Sequence, residues 1–320
     1  MGAFKNITVR EYFQRYGYAN GMKRGLFMGF PVHAVEDREN RKILYYRKIK
    51  RLMEKRYSYA AEKNPEGLEY PSGSLRNPVW VYWKQGIENA PDIVKVCVKS
   101  IRDNAQGDVI LLDDDSVGQY VRFPEYSFGA AGKKSMSTAH FADILRFSLL
   151  EHYGGTWIDA TVCLTDSLPE TIVNSELFAY RDTCGLMYNP ASMAIWLIHA
   201  APGNAVVKET RNILFEYWKR NEYAIEYLIT NIVLTSQAEK RPEISAPYMS
   251  SDYSRLMLDN LDRKFDMEEY KRICALSSVH KLTYKLNSEV IEDKENLYNK
   301  LIGAGASSLA LRGGGIISSV

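Results

Sequence analysis

Between residues 42 and 59, apolar and aromatic side chains recur every three or four positions, at Ile43, Tyr46, Ile49, Met53 and Tyr57. That period lines one face of an amphipathic helix. Turn-forming residues follow, Asn64-Pro65-Glu66-Gly67 and Pro71-Ser72-Gly73-Ser74, and predict a boundary near residue 76. Beyond it the pattern alternates. Residues 79–83 and 108–112 are short apolar runs fit for buried strands. Between them, Pro91 opens a helix that reaches Arg102. Ser137 or Thr138 caps a second helix running to His152, and Gly154-Gly155 ends it. Residues 156–164 read as a third strand. Strand, helix, strand, helix, strand predicts an α/β domain with a mainly parallel sheet. The later part reads as mostly helical, at about residues 204–219 and 224–238. The expected organisation is a helical segment at 1–75, an α/β domain at 76–302, and a Gly- and Ser-rich mobile tail at 303–320.

Composition narrows the class. The 320 residues are 46% hydrophobic and 25% charged, which argues against disorder. Net charge is only +2, from 41 basic and 39 acidic residues, and does not point to nucleic acid. Residues 38–56 stand apart, with nine basic and two acidic side chains. No apolar run approaches the roughly 20 residues of a membrane span, and the N-terminus shows no apolar signal-peptide core. Cys97, Cys163, Cys184 and Cys274 form no C-x-x-C pair and sit among apolar neighbours. They read as buried thiols, in keeping with a cytoplasmic location.

Residues 137–162, STAHFADILRFSLLEHYGGTWIDATV, carry the candidate chemistry. Asp143 and Arg146 are three apart and share a helix face. Two glycines then lead directly into a strand whose period of two puts Asp159 and Thr161 on one side. Ligands of parallel α/β sheets bind outside the carboxyl ends of the strands, so a carboxylate, a guanidinium and a hydroxyl converge on one crevice. Taken alone, Asp143–Arg146 also fits a surface ion pair of little energetic weight.

The combined pattern resembles the capsular polysaccharide synthesis proteins, relatives of the DXD-motif glycosyltransferases of the GT-A type. It reads Ala142-Asp143-Ile144-Leu145-Arg146, Tyr153-Gly154-Gly155, and Trp157-Ile158-Asp159-Ala160-Thr161. Further matches are residues 79–86, Leu112-Asp113-Asp114-Asp115, and His280-Lys281-Leu282-Thr283-Tyr284-Lys285. The resemblance implies a GT-A-like nucleotide-sugar-binding domain and transfer of a sugar from a nucleotide donor to a surface-polysaccharide precursor. It implies catalytic roles for Asp159, Asp143 and Arg146. It also implies donor contacts from Trp83, Asp114, Asp115, Tyr153, Gly154, Gly155, Thr161, Thr283, Tyr284, Lys281 and Lys285. A divalent cation, Mn²⁺ or Mg²⁺, would meet Asp159 and His280. Thr161 stands where the motif has its second Asp, a weaker cation ligand, which puts metal dependence in doubt. Lys281 or Lys285 would then neutralise the leaving diphosphate.

Two other readings are compatible with these residues: sugar-phosphate transfer, and a non-catalytic donor-binding subunit. The implied acceptor is a glycan or lipid-linked glycan. The basic helix offers peripheral contact with an anionic membrane from the cytoplasmic side. It equally offers a structural brace packed through Ile43, Ile49 and Met53.

Overall fold

The computed structural model describes residues 8–28, 35–124, 136–182, 189–244 and 249–304. Cys184 and the tail expected to be mobile beyond residue 304 lie outside them. The longer helices are α1 (Val9–Met28), α2 (Val35–Tyr57), α3 (Asp92–Asn104), α4 (Thr138–Tyr153), α5 (Ala205–Arg220), α6 (Ile229–Lys240), α7 (Met267–Leu276) and α8 (Leu297–Ala304). The strands are β1 (Val79–Tyr82), β2 (Val109–Leu112), β3 (Gly155–Ile158), β4 (Val162–Leu164), β5 (Leu177–Arg181), β6 (Met193–Ala200) and β7 (Val279–Lys281).

Five strands form the central sheet in the order β2-β1-β3-β6-β5. β1 pairs in parallel with β2 and β3, while β6 runs antiparallel to both β3 and β5. Four of the five strands therefore point the same way, and β6 alone is reversed. β4 and β7 make a separate antiparallel pair.

Every residue of β1 is buried because both sheet faces are covered. Trp80, Tyr82, Trp157 and Ile198 face one core, shared with α2, α4, α5 and α6. Val79, Val81, Ile158 and Leu197 face the other, shared with α3, α7 and α8. The apolar stripe of α2 belongs to the first core. Tyr46, Ile49, Met53 and Tyr57 are buried there and Ile43 is buried beside them, each stabilising by about 1.5–3 kcal/mol for a fully buried large apolar side chain. Its basic residues Arg41, Arg47, Lys48, Arg51, Lys55 and Arg56 stay exposed.

Two expectations need correcting. The strand expected over residues 156–164 is two strands in two sheets. The chain turns at Asp159-Ala160-Thr161, where the Val162 amide donates to the Asp159 carbonyl at 2.9 Å. A continuous apolar run hides this break, because residues on both sides of the turn are buried. The later part is also less helical than expected, since it supplies β5, β6 and β7. β6 is interior and buried for most of its length, so it lacks the alternation that marks a half-exposed strand.

The glycine pair has a packing task. Gly155 has φ +89°, and a Cβ there would stand 2.1 Å from the Pro78 carbonyl oxygen. Only glycine lets β3 approach β1 this closely.

Candidate active site

The carboxyl ends of β1 and β3 and the first turns of α4 enclose an open cleft of about 560 Å³. Its floor is a chain of charges. Arg146, on α4, reaches Asp143 Oδ1 at 3.2 Å on its own helix and Asp159 Oδ1 at 2.9 Å beyond β3. The guanidinium also lies 4.8 Å over the Trp157 ring. Trp157 precedes Asp159 by two, so its indole Nε1 shares that face and donates to Asp159 Oδ1 at 3.0 Å. Thr230, on α6, donates to Asp143 Oδ2 at 2.8 Å. Lys281 closes the chain, donating to Asp159 Oδ2 at 3.2 Å and to the Thr161 hydroxyl. It is held there by register: Lys281 sits opposite Val162, and the next amide, Leu282, donates to the Thr161 carbonyl at 2.8 Å.

These neighbours separate the two carboxylates. For Asp143, burial outweighs Arg146 and Thr230 and pushes the pKa up to about 6. For Asp159, burial acts the same way but is overcome by Lys281 and Arg146, and the pKa falls below its ordinary value. Near neutral pH the floor thus holds one firmly ionised carboxylate and one close to titration. Ser137 caps α4 by accepting from the His140 amide, and the positive end of that helix faces the cleft, favourable for anions.

Several other sequence-derived residues reach the cleft. Trp83 and Tyr284 form an edge-to-face pair at its mouth, with ring centres 5.2 Å apart. Thr161 lies at the floor through Lys281. Asp114 accepts from the Tyr82 hydroxyl at 2.6 Å and borders an adjoining cavity.

The others are elsewhere. Asp115 is exposed after the end of β2. Thr283 accepts from the Lys285 amide within its own loop, and Lys285 is exposed beside the Tyr284 ring. Tyr153 is buried, donating to the Tyr120 carbonyl at 2.8 Å. Gly154 and Gly155 stand at the opposite end of β3, about 13 Å of extended chain from Asp159. His280 points to the other side of β7 from Lys281, because neighbouring strand residues alternate. It is fully buried, with Nε2 3.0 Å from Thr165 Oγ1, and burial lowers its pKa to about 3.

The cleft also contains Trp196, Asp182, Tyr227 and Asn231, which sequence reasoning missed. They come from β6, the end of β5 and the start of α6, distant in sequence and without a local motif. Trp157 was missed as well, although a period of two places it beside Asp159. A larger groove, about 910 Å³, runs along α1 near Phe13 and Tyr223, and none of the sequence-derived site residues lines it.

The fold and this charged floor define an α/β protein with a charged cleft at the strand ends. The model of the capsular polysaccharide synthesis protein family matches residues 30–301, and the chain belongs to that family. Among solved structures, the chain is similar to one described as PaToxG Glycosyltransferase, at 15% identity and a TM-score of 0.38. That match covers 86% of this chain and 98% of the other. No curated protein matches the chain.

Proposed function

We propose that this chain is a GT-A-type glycosyltransferase that moves a sugar from a nucleoside-diphosphate donor onto a capsular or other surface-polysaccharide precursor. The observation that carries the reading is the continuous Asp143–Arg146–Asp159–Lys281 chain on the floor of an open cleft. A crevice outside the carboxyl ends of the strands, with a few converging polar groups, suits a polar ligand. Asp143 and Arg146 have the donor and acceptor geometry for sugar hydroxyls. Lys281 and the amino end of α4 present positive charge to a diphosphate. Trp83 and Tyr284 offer aromatic faces at the mouth for a base. In the reaction, the bond from the anomeric carbon to the diphosphate oxygen breaks, and its electron pair stays on the phosphate. The acceptor hydroxyl oxygen bonds to that carbon, and its proton passes to solvent.

Asp159→Asn tests this. With a panel of nucleotide-sugars, wild type releases nucleoside diphosphate, and the variant is slower by about 100-fold or more at unchanged melting temperature. Wild-type turnover by the variant sinks the assignment. A product heavier by a phosphohexose instead of a hexose replaces glycosyl transfer with sugar-phosphate transfer.

The same reading puts the enzyme at the cytoplasmic face of a membrane that carries its acceptor. Among the described residues, no helix is long and apolar enough to cross a membrane. The apolar stripe of α2 faces the protein core, so any attachment is electrostatic, through its exposed basic face. Such attraction amounts to about 1 kcal/mol per basic residue near anionic headgroups. Sedimentation with anionic vesicles at low salt, lost at high salt and absent with neutral vesicles, is the expected result. Equal binding to both vesicle types removes this placement.

A further inference from the structure

Lys281 occupies the place between Asp159 and Thr161 that a metal ion would need. Both Asp159 oxygens are already engaged. Oδ1 accepts from Arg146 at 2.9 Å and from Trp157 at 3.0 Å, and Oδ2 accepts from Lys281 at 3.2 Å. The Thr161 hydroxyl accepts from the same ammonium. Mg²⁺ and Mn²⁺ prefer octahedral sets of oxygen ligands that include carboxylates. The other carboxylate of the floor, Asp143, is held by Arg146 and Thr230. His280 is buried on the far side of β7. Among the described residues, no group of three or more His, Cys, Asp or Glu is placed to hold a metal ion. With the Lys281 ammonium seated between Asp159 and Thr161, these side chains do not fit a divalent cation at that place.

We propose that the Lys281 ammonium is the built-in cation of this site, binding the donor diphosphate and stabilising it as it departs, so that the site works without divalent metal. This rests on the glycosyl-transfer reading above. Charge supports it. A dication between two carboxylates is neutral, and an ammonium between one carboxylate and one hydroxyl is neutral too. The single carboxylate at Asp159-Ala160-Thr161 and the lysine at 281 are thus matched features of one design. Donor count supports it as well. An ammonium has three N–H bonds; Asp159 and Thr161 take two, and the third remains for a phosphate oxygen. The Lys281 side chain keeps 23% of its surface exposed, which leaves it within reach of a ligand in the cleft. As the anomeric carbon–oxygen bond breaks, negative charge grows on the phosphate oxygen beside Nζ, and the lysine keeps its protons.

The test uses the full chain, first freed of metal by chelation. Titration with Mn²⁺ alone, followed by the loss of the free-ion electron-resonance signal, is expected to show no stoichiometric site in wild type. It should show one equivalent bound in the double variant Thr161→Asp with Lys281→Ala, which rebuilds a paired-carboxylate site. Calorimetry with inorganic pyrophosphate in excess chelator should show binding to wild type and to Lys281→Arg. Binding to Lys281→Met should be weaker by about tenfold or more, the loss of one charge-assisted hydrogen bond. A one-equivalent Mn²⁺ site in wild type that vanishes in Asp159→Asn overturns the proposal. So does pyrophosphate binding that Lys281→Met leaves unchanged. The Mn²⁺ titration of wild type needs no variant to fold. Both readouts are independent of sugar transfer, so a chain that turns over no nucleotide-sugar refutes the glycosyl-transfer reading by a separate measurement.

Discussion

Two buried arginines in this molecule have nearly the same exposure and opposite surroundings. The Arg211 side chain, 3% exposed, has every nitrogen engaged. It donates to Glu151, to the Tyr70 hydroxyl at 3.0 Å, to Asn64 at 3.0 Å, and to Asn212 from Nε at 3.1 Å and Nη2 at 2.9 Å. The Arg146 side chain, 4% exposed, binds two carboxylates, and its Nε has no partner. Buried donors are almost always satisfied, and a completed set of partners is what a structural role requires. Arg211 ties α5 to the segment before β1. Arg146 lines a cleft together with both of its carboxylates, and it keeps one buried donor without a partner. Equal burial therefore does not mean equal purpose; completeness of the hydrogen-bond set separates them.

Substitution of both arginines by Met tests this contrast most severely. Arg211→Met removes one side of a buried network and leaves Glu151 and two amides without their partner. The expected loss is about 3–5 kcal/mol of stability, measured as the midpoint of urea unfolding. What remains folded should keep its turnover. Arg146→Met should do the reverse, costing about 10²–10³ in kcat with a smaller stability loss. Its stranded carboxylates line an open cleft, and Asp143, raised to about 6, takes up a proton readily once its partner is gone. If the two variants lose stability equally and Arg146→Met keeps its rate, then Arg146 is a second structural arginine and the active-site assignment fails.

The same contrast explains what was legible in the sequence. The Asp143–Arg146 spacing is a local rule of the helix, so it could be read directly. So could the stripe of α2 and the first strands and helices of the α/β domain. The Trp157–Asp159 period is equally local but went unread, and the period that paired Asp159 with Thr161 falls on a turn. That turn, Asp159-Ala160-Thr161, could not be read, because flanking apolar residues on both sides look like one strand. Lys281 was visible as a basic residue in a family-like segment, but its partner is 122 positions earlier. That contact depends on the β4–β7 register, which no local pattern encodes. Thr230, 87 positions from Asp143, had no signal at all. The Tyr153-Gly154-Gly155 group misled in the other direction. It is adjacent in sequence to the site, yet it works at the opposite end of β3, where φ +68° and +89° let the strand pass under Pro202 and Pro78.

Asp143 gives the finest test, since its titration reports the cleft and not the network around Arg211. Its ordinary value is 3.8, and burial raises it to about 6 in the folded protein. Between those values the native state holds more protons than the unfolded state. Stability contributed by this group therefore declines as pH rises through that window, the opposite sign from Asp159, whose pKa is lowered. Asp143→Asn removes the titration. Whatever fixed offset the substitution adds, stability of the variant minus that of wild type should grow from about pH 4 to about pH 6 and then level off. Activity should follow the same group in the other direction. An ionised Asp143 is the better acceptor for a sugar hydroxyl, so wild-type kcat/KM rises with pH through about 6. That acid limb should be absent in the Asn variant, whose remaining rate is flat there. Urea midpoints and initial rates across this range decide the matter together. A stability difference independent of pH means that Asp143 is not buried against the ion pair as the structure has it. A persistent acid limb in Asp143→Asn assigns the titrating group to another residue of the cleft.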